Sequence, residues 1–177
     1  MVYVEPVAPG EIHDPELEAL ITRCERLAVP GALFARILAR VPDYAKALLR
    51  AMLMSHTEGN VDHRLKEIIR VQLARRAGDP YFAALRSAQA MAGGLDEAAI
   101  AAGCDDYEHS ARFSEAQKWA LRYADRMYLD PASVDAAFYA GMKQHYSEAQ
   151  IMELGAFIAL HYGMQVFMRT LGDGAPA

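Results

Sequence analysis

Apolar residues recur at helical spacing along almost the whole chain, and strand-like alternation is nearly absent, which restricts the fold to packed α-helices. The punctuation agrees. Asp14-Pro15-Glu16 reads as an N-cap, a first-turn proline and an acidic first turn. The stripe of Leu17, Leu20, Ile21, Cys24 and Leu27 follows, ending before Pro30. Further helices are predicted over 31–41, from Pro42 to about His56, and over 61–77 with Gly78 as the stop. Asp79-Pro80 restarts a helix predicted to run unbroken to about Met91, before Gly93-Gly94. A short helix covers 95–102. Ser114–Gln117 and Ser147–Gln150 match the capping box and open two more, with 131–145 helical between them and the last helix ending near Leu171. The expectation is one all-α domain over 1–177, a bundle of about eight to nine helices. It divides into an extended leader (1–13), an N-terminal helical extension (14–44), a core (45–172) and a frayed tail (173–177).

Composition narrows the function. A net charge of -5 argues against a nucleic-acid partner, because neutralising phosphates needs clustered Lys and Arg. In the one dense basic stretch, Arg70 to Arg76, interleaved Val71, Leu73 and Ala74 are read as facing inward and the arginines as a solvated face. The start of the chain lacks the basic residues of a signal peptide. The apolar stretch near 156–168 is interrupted by His161 and Gln165 and is short for a bilayer span. No membrane association and a cytoplasmic location are the corresponding expectations. Cys24 and Cys104 have no ligand or redox spacing. Phosphate-binding glycine loops, H-E-x-x-H and G-x-S-x-G are missing as well.

The segment Asp62–Val71, with Arg64 and Glu67 in an R-x-x-E arrangement, resembles a helix of the carboxymuconolactone decarboxylase and alkylhydroperoxidase AhpD-like superfamily. Ala77–Arg86, Phe113–Ala124 and Ile151–Gly172 (with Arg169 near its end) resemble successive segments of the same family. The resemblance covers about residues 45–172 and implies a helical bundle of the AhpD-like type, assembled as a homo-oligomer, commonly a trimer or hexamer. It also implies that Glu67 stands where the family has a proton-relay glutamate. Where the peroxidase branch reads C-x-x-C-x-x-x-H, this chain has Asp79, Phe82 and Arg86, with Tyr81 beside the second cysteine position. The decarboxylase branch typically carries a His at the Arg86 position. Without a thiolate and a resolving thiol, peroxidase activity should be absent.

The residues themselves suggest chemistry. A helix start at Asp79–Phe82 offers unpaired N–H groups to an anion. Arg86, four residues after Phe82, would share that helix. Arg86, with Arg64, would clamp a substrate carboxylate or enolate beside Phe82, while Glu67 moves a proton with Tyr81 assisting. Each has a plainer reading. Asp79 is a cap or an acid, Arg86 pairs structurally with Glu67 or holds substrate, and Tyr81 and Phe82 are core aromatics or pocket walls. His161, on the apolar last helix, is an interior histidine or a second acid/base. His63 and Glu67 are either an exposed i,i+4 contact or a metal edge. His13, His56, His109 and His145 are read as solvated, while the methionines Met52, Met54, Met152, Met164 and Met168 belong to core or subunit interface.

The functional expectation is a cofactor-independent, carboxymuconolactone decarboxylase-like enzyme, a lyase or isomerase. It would perform proton transfer, decarboxylation or lactone chemistry on a small organic acid or lactone, using no metal. The alternatives are a catalytically degenerate binding or assembly module, a hydroperoxidase using a different thiol, and a metal-dependent variant.

Overall fold

The computed structural model describes residues 2–172, so the tail expected at 173–177 lies outside the described residues. Among these residues there are ten α-helices, two 3-10 turns and no β-strand. The helices are α1 (Pro15–Leu27), α2 (Ala32–Leu38), α3 (Pro42–Thr57), α4 (His63–Ala77), α5 (Pro80–Ala84), α6 (Ala88–Ala92), α7 (Glu97–Cys104), α8 (Glu115–Leu129), α9 (Ala136–Met142) and α10 (Glu148–Thr170). The starts obey the local chemistry. Asp14 accepts from the Glu16 and Leu17 amides at 3.0 and 3.2 Å. Both Ser114 and Ser147 form reciprocal capping boxes with Gln117 and Gln150. Gly78, at φ +64°, closes α4 in the left-handed conformation that glycine adopts without steric cost.

Two helices depart from expectation. The segment expected to be helical from Pro80 to Met91 splits into α5 and α6, with extended backbone at Leu85 (φ -68°, ψ 149°). In an unbroken helix the Phe82 carbonyl would accept from the Arg86 amide. Instead it accepts from Arg70 Nη1 at 2.6 Å, and Ser87 opens α6 as a new N-cap. The expected 131–145 helix is reduced to a 3-10 turn at Pro131–Ser133 and α9, because the Asp135 side chain caps a fresh start by accepting from the Phe138 amide at 2.9 Å.

Helix α4 is central. Its ten residues from Leu65 to Ala74 are all buried, because α10, α7, α8 and α5 pack around it. The main core joins Leu65, Ile68, Ile69 and Leu73 to Ile100, Leu121, Leu154 and Ile158. A second cluster packs α1 against α3 through Leu17, Ile21, Cys24, Leu49 and Leu53. A central helix cannot keep a solvated charged face, so the solvated reading of Arg70 is corrected: Arg70 is 0% exposed, while Arg75 and Arg76 do reach solvent. By length and composition α10 is apolar enough to cross a membrane, yet here it lies against α4 and α3 with His161 and Gln165 buried. The leader crosses α2 and the end of α10 through Val7 N–H to the Arg36 carbonyl (3.0 Å) and Tyr3 N–H to the Leu171 carbonyl (2.6 Å).

Candidate functional site

Where α3 ends and α4 begins, α10 runs alongside, and these three helices bring together the densest buried polar group of the chain. Glu67 and Arg70 sit one turn apart on α4, both fully buried. Arg70 Nε donates to Glu67 Oε2 and Nη2 to Oε1, each at 2.8 Å. The same guanidinium donates to the Phe82 and Leu85 carbonyls at 2.6 Å each. The Ser87 amide adds a third donor to the Glu67 carboxylate at 2.8 Å. This fork satisfies both charges where water does not reach.

Three histidines border it. His56, at the inner end of α3, brings Nε2 to 3.5 Å from Glu67 Oε2, an electrostatic approach rather than a hydrogen bond. Its ring centroid is 5.1 Å from those of both His63 and His161, and 5.3 Å from Phe157. His63 Nε2 lies 2.9 Å from Ser87 Oγ, and His161 Nε2 lies 3.0 Å from Ser55 Oγ. Both ring nitrogens of His56, and Nδ1 of His63 and of His161, are buried without a hydrogen-bond partner. Burial, reinforced at His56 by Arg70 and at His161 by His56, holds both imidazoles well below the usual histidine range. Both are therefore neutral at pH 7.

Beside this group is an open groove of about 440 Å³. Met54, Ala156, Phe157 and Leu160 form its apolar walls, and Ser55, Glu58, Lys66 and Glu153 form its polar side. Lys66, 1% exposed, donates to the Ser55 carbonyl at 3.0 Å and the Glu58 carbonyl at 2.7 Å, and pairs with Glu153. Burial pushes the Glu153 carboxyl up, but Lys66 and the Asn60 and Val61 amides together hold it below its usual value. Gly59, at φ +103°, is needed here because a Cβ would strike the Glu153 carboxylate.

The residues singled out in the sequence separate in space. Glu67 is in the polar group, but its partner is Arg70. Arg86 follows the break after α5 and turns outward to Glu97 at 2.7 Å, so neither the shared helix with Phe82 nor the Arg86–Glu67 pairing forms. Arg64 pairs with Asp62 at 2.7 Å on the exposed start of α4. Tyr81 points away from Glu67, donating to the Pro30 carbonyl at 3.2 Å and accepting from the Phe34 amide at 3.4 Å. Phe82 packs edge-on against Phe34, with ring centroids 5.2 Å apart, as a core aromatic. Asp79 caps α5 by accepting from the Phe82 amide at 2.8 Å, and burial pushes its carboxyl up. His161 joins the site. His63 is not the exposed contact expected, since it is half-buried against Ser87; nor is a metal edge completed, because among the described residues no group of three His, Cys, Asp or Glu side chains is arranged to hold an ion.

The solvated reading of His56 is corrected, since it is 3% exposed at the inner end of α3, and sequence reasoning missed Arg70 and Ser55 as members of the site. His56 was legible: Ala45, Leu49, Met52 and His56 fall on one helical stripe, all buried. Ser55 left no signal. The cysteines lie elsewhere, on α1 and at the end of α7, and burial pushes their thiols up to about 12 for Cys24 and about 11 for Cys104.

No protein-family model matches the sequence, and no curated protein does. Solved structures do. The debrominase Bmp8 without ligand superposes with a TM-score of 0.80 at 21% identity, covering 95% of this chain and 89% of that one. A cysteine-to-alanine variant of the same debrominase, in complex with 2,3,4-tribromopyrrole, gives 0.81 at 20% identity over 97% and 90% of the two chains. The AhpD core of an uncharacterised peroxidase-related protein from Ralstonia eutropha JMP134 gives 0.80 at 15% identity, covering 97% and 91%. The fold is AhpD-like.

Proposed function

Taking as premise an AhpD-like fold with Asp79 and Phe82 in its redox segment, we propose that this chain is a thiol-independent acid/base enzyme. Its substrate is a small organic acid or lactone bound in the groove between α3, α4 and α10. The observation that carries this reading is the pair of buried imidazoles, His56 with neither ring nitrogen hydrogen-bonded and His161 bonded only through Nε2 to Ser55, set between the Glu67 carboxylate and the groove. A neutral imidazole with a free ring nitrogen can take a proton, and its desolvation returns that proton readily. His161 receives the substrate proton through Ser55. The Glu67 carboxylate stabilises the imidazolium that forms, against the opposing effect of burial, and Arg70 fixes Glu67 in place. Glu67 accepts three hydrogen bonds already, so it orients and stabilises rather than acting as the free base. Met54, Phe157 and Leu160 hold the apolar part of the substrate, and Lys66, whose three donors go to the Ser55 and Glu58 carbonyls and to Glu153, fixes the polar wall of the groove.

Neither buried cysteine suits thiol chemistry, because thiols raised to about 12 and about 11 are scarcely ionised near neutrality. The reading needs no cofactor and takes the protein to be cytoplasmic and self-associated. Support for self-association is the outer face of α10, where Met152, Val166 and Phe167 are exposed, and light scattering on purified protein tests it.

The experiment is solvent deuterium incorporation into a panel of small carboxylic acids and lactones, read by mass spectrometry. Wild-type exchange that falls at least 100-fold in His161→Gln, with the fold retained, supports the reading. Exchange unchanged in that variant refutes it, and a panel left wholly unexchanged favours the degenerate binding or assembly module.

A further inference from the structure

We propose that Ser55 is a nucleophile acylated by activated esters or lactones, with His161 as its base. The proposal rests on the groove and imidazole pair of the preceding reading and adds a covalent step to them. Ser55 is the hydroxyl that meets both. It lines the groove, is half-buried, and has Oγ 3.0 Å from His161 Nε2. At rest the hydroxyl donates back to the Met52 carbonyl at 2.8 Å, the usual position for a serine within a helix. A rotation of the hydroxyl about its Cβ–Oγ bond turns the proton toward the imidazole without moving Oγ. At rest, with the hydroxyl turned to Met52, the 3.0 Å contact requires Nε2–H to donate to Oγ; once the hydroxyl turns, the tautomer with its proton on Nδ1 presents Nε2 as the acceptor.

Chemistry and surroundings agree. As Oγ bonds to the acyl carbon, its proton passes to His161 Nε2 and the carbonyl oxygen becomes an oxyanion. Lys66, whose ammonium donates to the Ser55 and Glu58 carbonyls and pairs with Glu153, holds the backbone around Ser55 in place. The carbon–oxygen bond to the alcohol then breaks, and the alcohol leaves with the proton from Nε2. Water enters by the same route in reverse, giving its proton to Nε2, and hydrolysis of the acyl-serine returns both enzyme and acid. The imidazolium formed in each half-reaction faces His56, which is neutral, with Glu67 behind it. Met54, Phe157 and Leu160 favour a compact apolar acyl group.

The test is labelling of the purified full chain with an alkyl fluorophosphonate, in which a serine oxygen displaces fluoride. The expected result is one adduct per chain, mapped to Ser55 by peptide mass spectrometry, abolished in Ser55→Ala and slowed at least 100-fold in His161→Gln. Both variants should keep the wild-type circular dichroism, and Ser133→Ala should label as wild type does. No adduct, an adduct on another residue, or an undiminished rate in His161→Gln overturns the proposal. Wild-type protein that exchanges deuterium into small acids but takes no label retires the nucleophile and leaves the proton-transfer reading standing. Label without exchange does the opposite.

Discussion

Replacing Glu67 by Gln removes one charge and scarcely any volume, so it isolates what the buried ion pair contributes. In the native protein Arg70 spends its donors on Glu67 and on the Phe82 and Leu85 carbonyls, with no water in reach. The variant leaves the guanidinium fully buried against neutral oxygens alone. Breaking one side of such a pair typically costs about 3–5 kcal/mol, most of it the desolvation of the charge left behind. A chain of 177 residues unfolds with an entropy near 0.37 kcal/mol/K at about 2.1 cal/mol/K per residue, so Tm should fall by about 8–13 °C. Urea and thermal denaturation followed by circular dichroism measure both. Glu67→Gln/Arg70→Met should lose clearly less than the sum of the two single variants, since it removes the stranded charge as well. A loss under about 1 kcal/mol for Glu67→Gln, or a purely additive double variant, would refute the claim that this pair is desolvated and coupled.

Stability should fall with acidity through the histidines. His56 and His161 stay neutral when folded, whereas the unfolded chain takes up protons below about pH 6.5, so their contribution is complete above that value and lost as pH falls. Between pH 7 and 5 stability should decline with a slope of at most about 1.4 kcal/mol per pH unit from each histidine. Urea midpoints measure this, and a His56→Gln/His161→Gln variant with the wild-type slope would contradict it. Arg86→Ala removes the pair with Glu97 and the bonds to the Ala83 and Leu85 carbonyls at 2.7 Å each, and should cost about 1–3 kcal/mol while leaving deuterium exchange unchanged; a large loss of exchange would restore Arg86 to the site. Cys24 and Cys104 should react with a disulfide reagent only on unfolding, so fast labelling of the native protein would show that one thiol is accessible.

Local chemistry in the sequence was enough for the helix starts. Asp14, Ser114 and Ser147 cap their own backbone amides within three residues, so those starts needed no knowledge of distant neighbours. The inward face of α4 and the interior position of His161 followed from apolar spacing in the same way. Apart from the break before α9, which the local Asp135 cap sets, what failed depended on contacts between separate elements. The α5–α6 break exists because Arg70, twelve residues earlier than Phe82, takes the carbonyl a longer helix would have used. Arg86 moved out of the site for that reason, and Tyr81 turned toward Pro30 because α2 packs there. The site itself was the part least open to sequence reading. His56 and His161 sat on apolar stripes, but Glu67, Arg70 and His63 carried no mark of burial in their spacing; only the enclosure of α4 by its neighbours takes water from this group, and desolvation decides which of its members are charged.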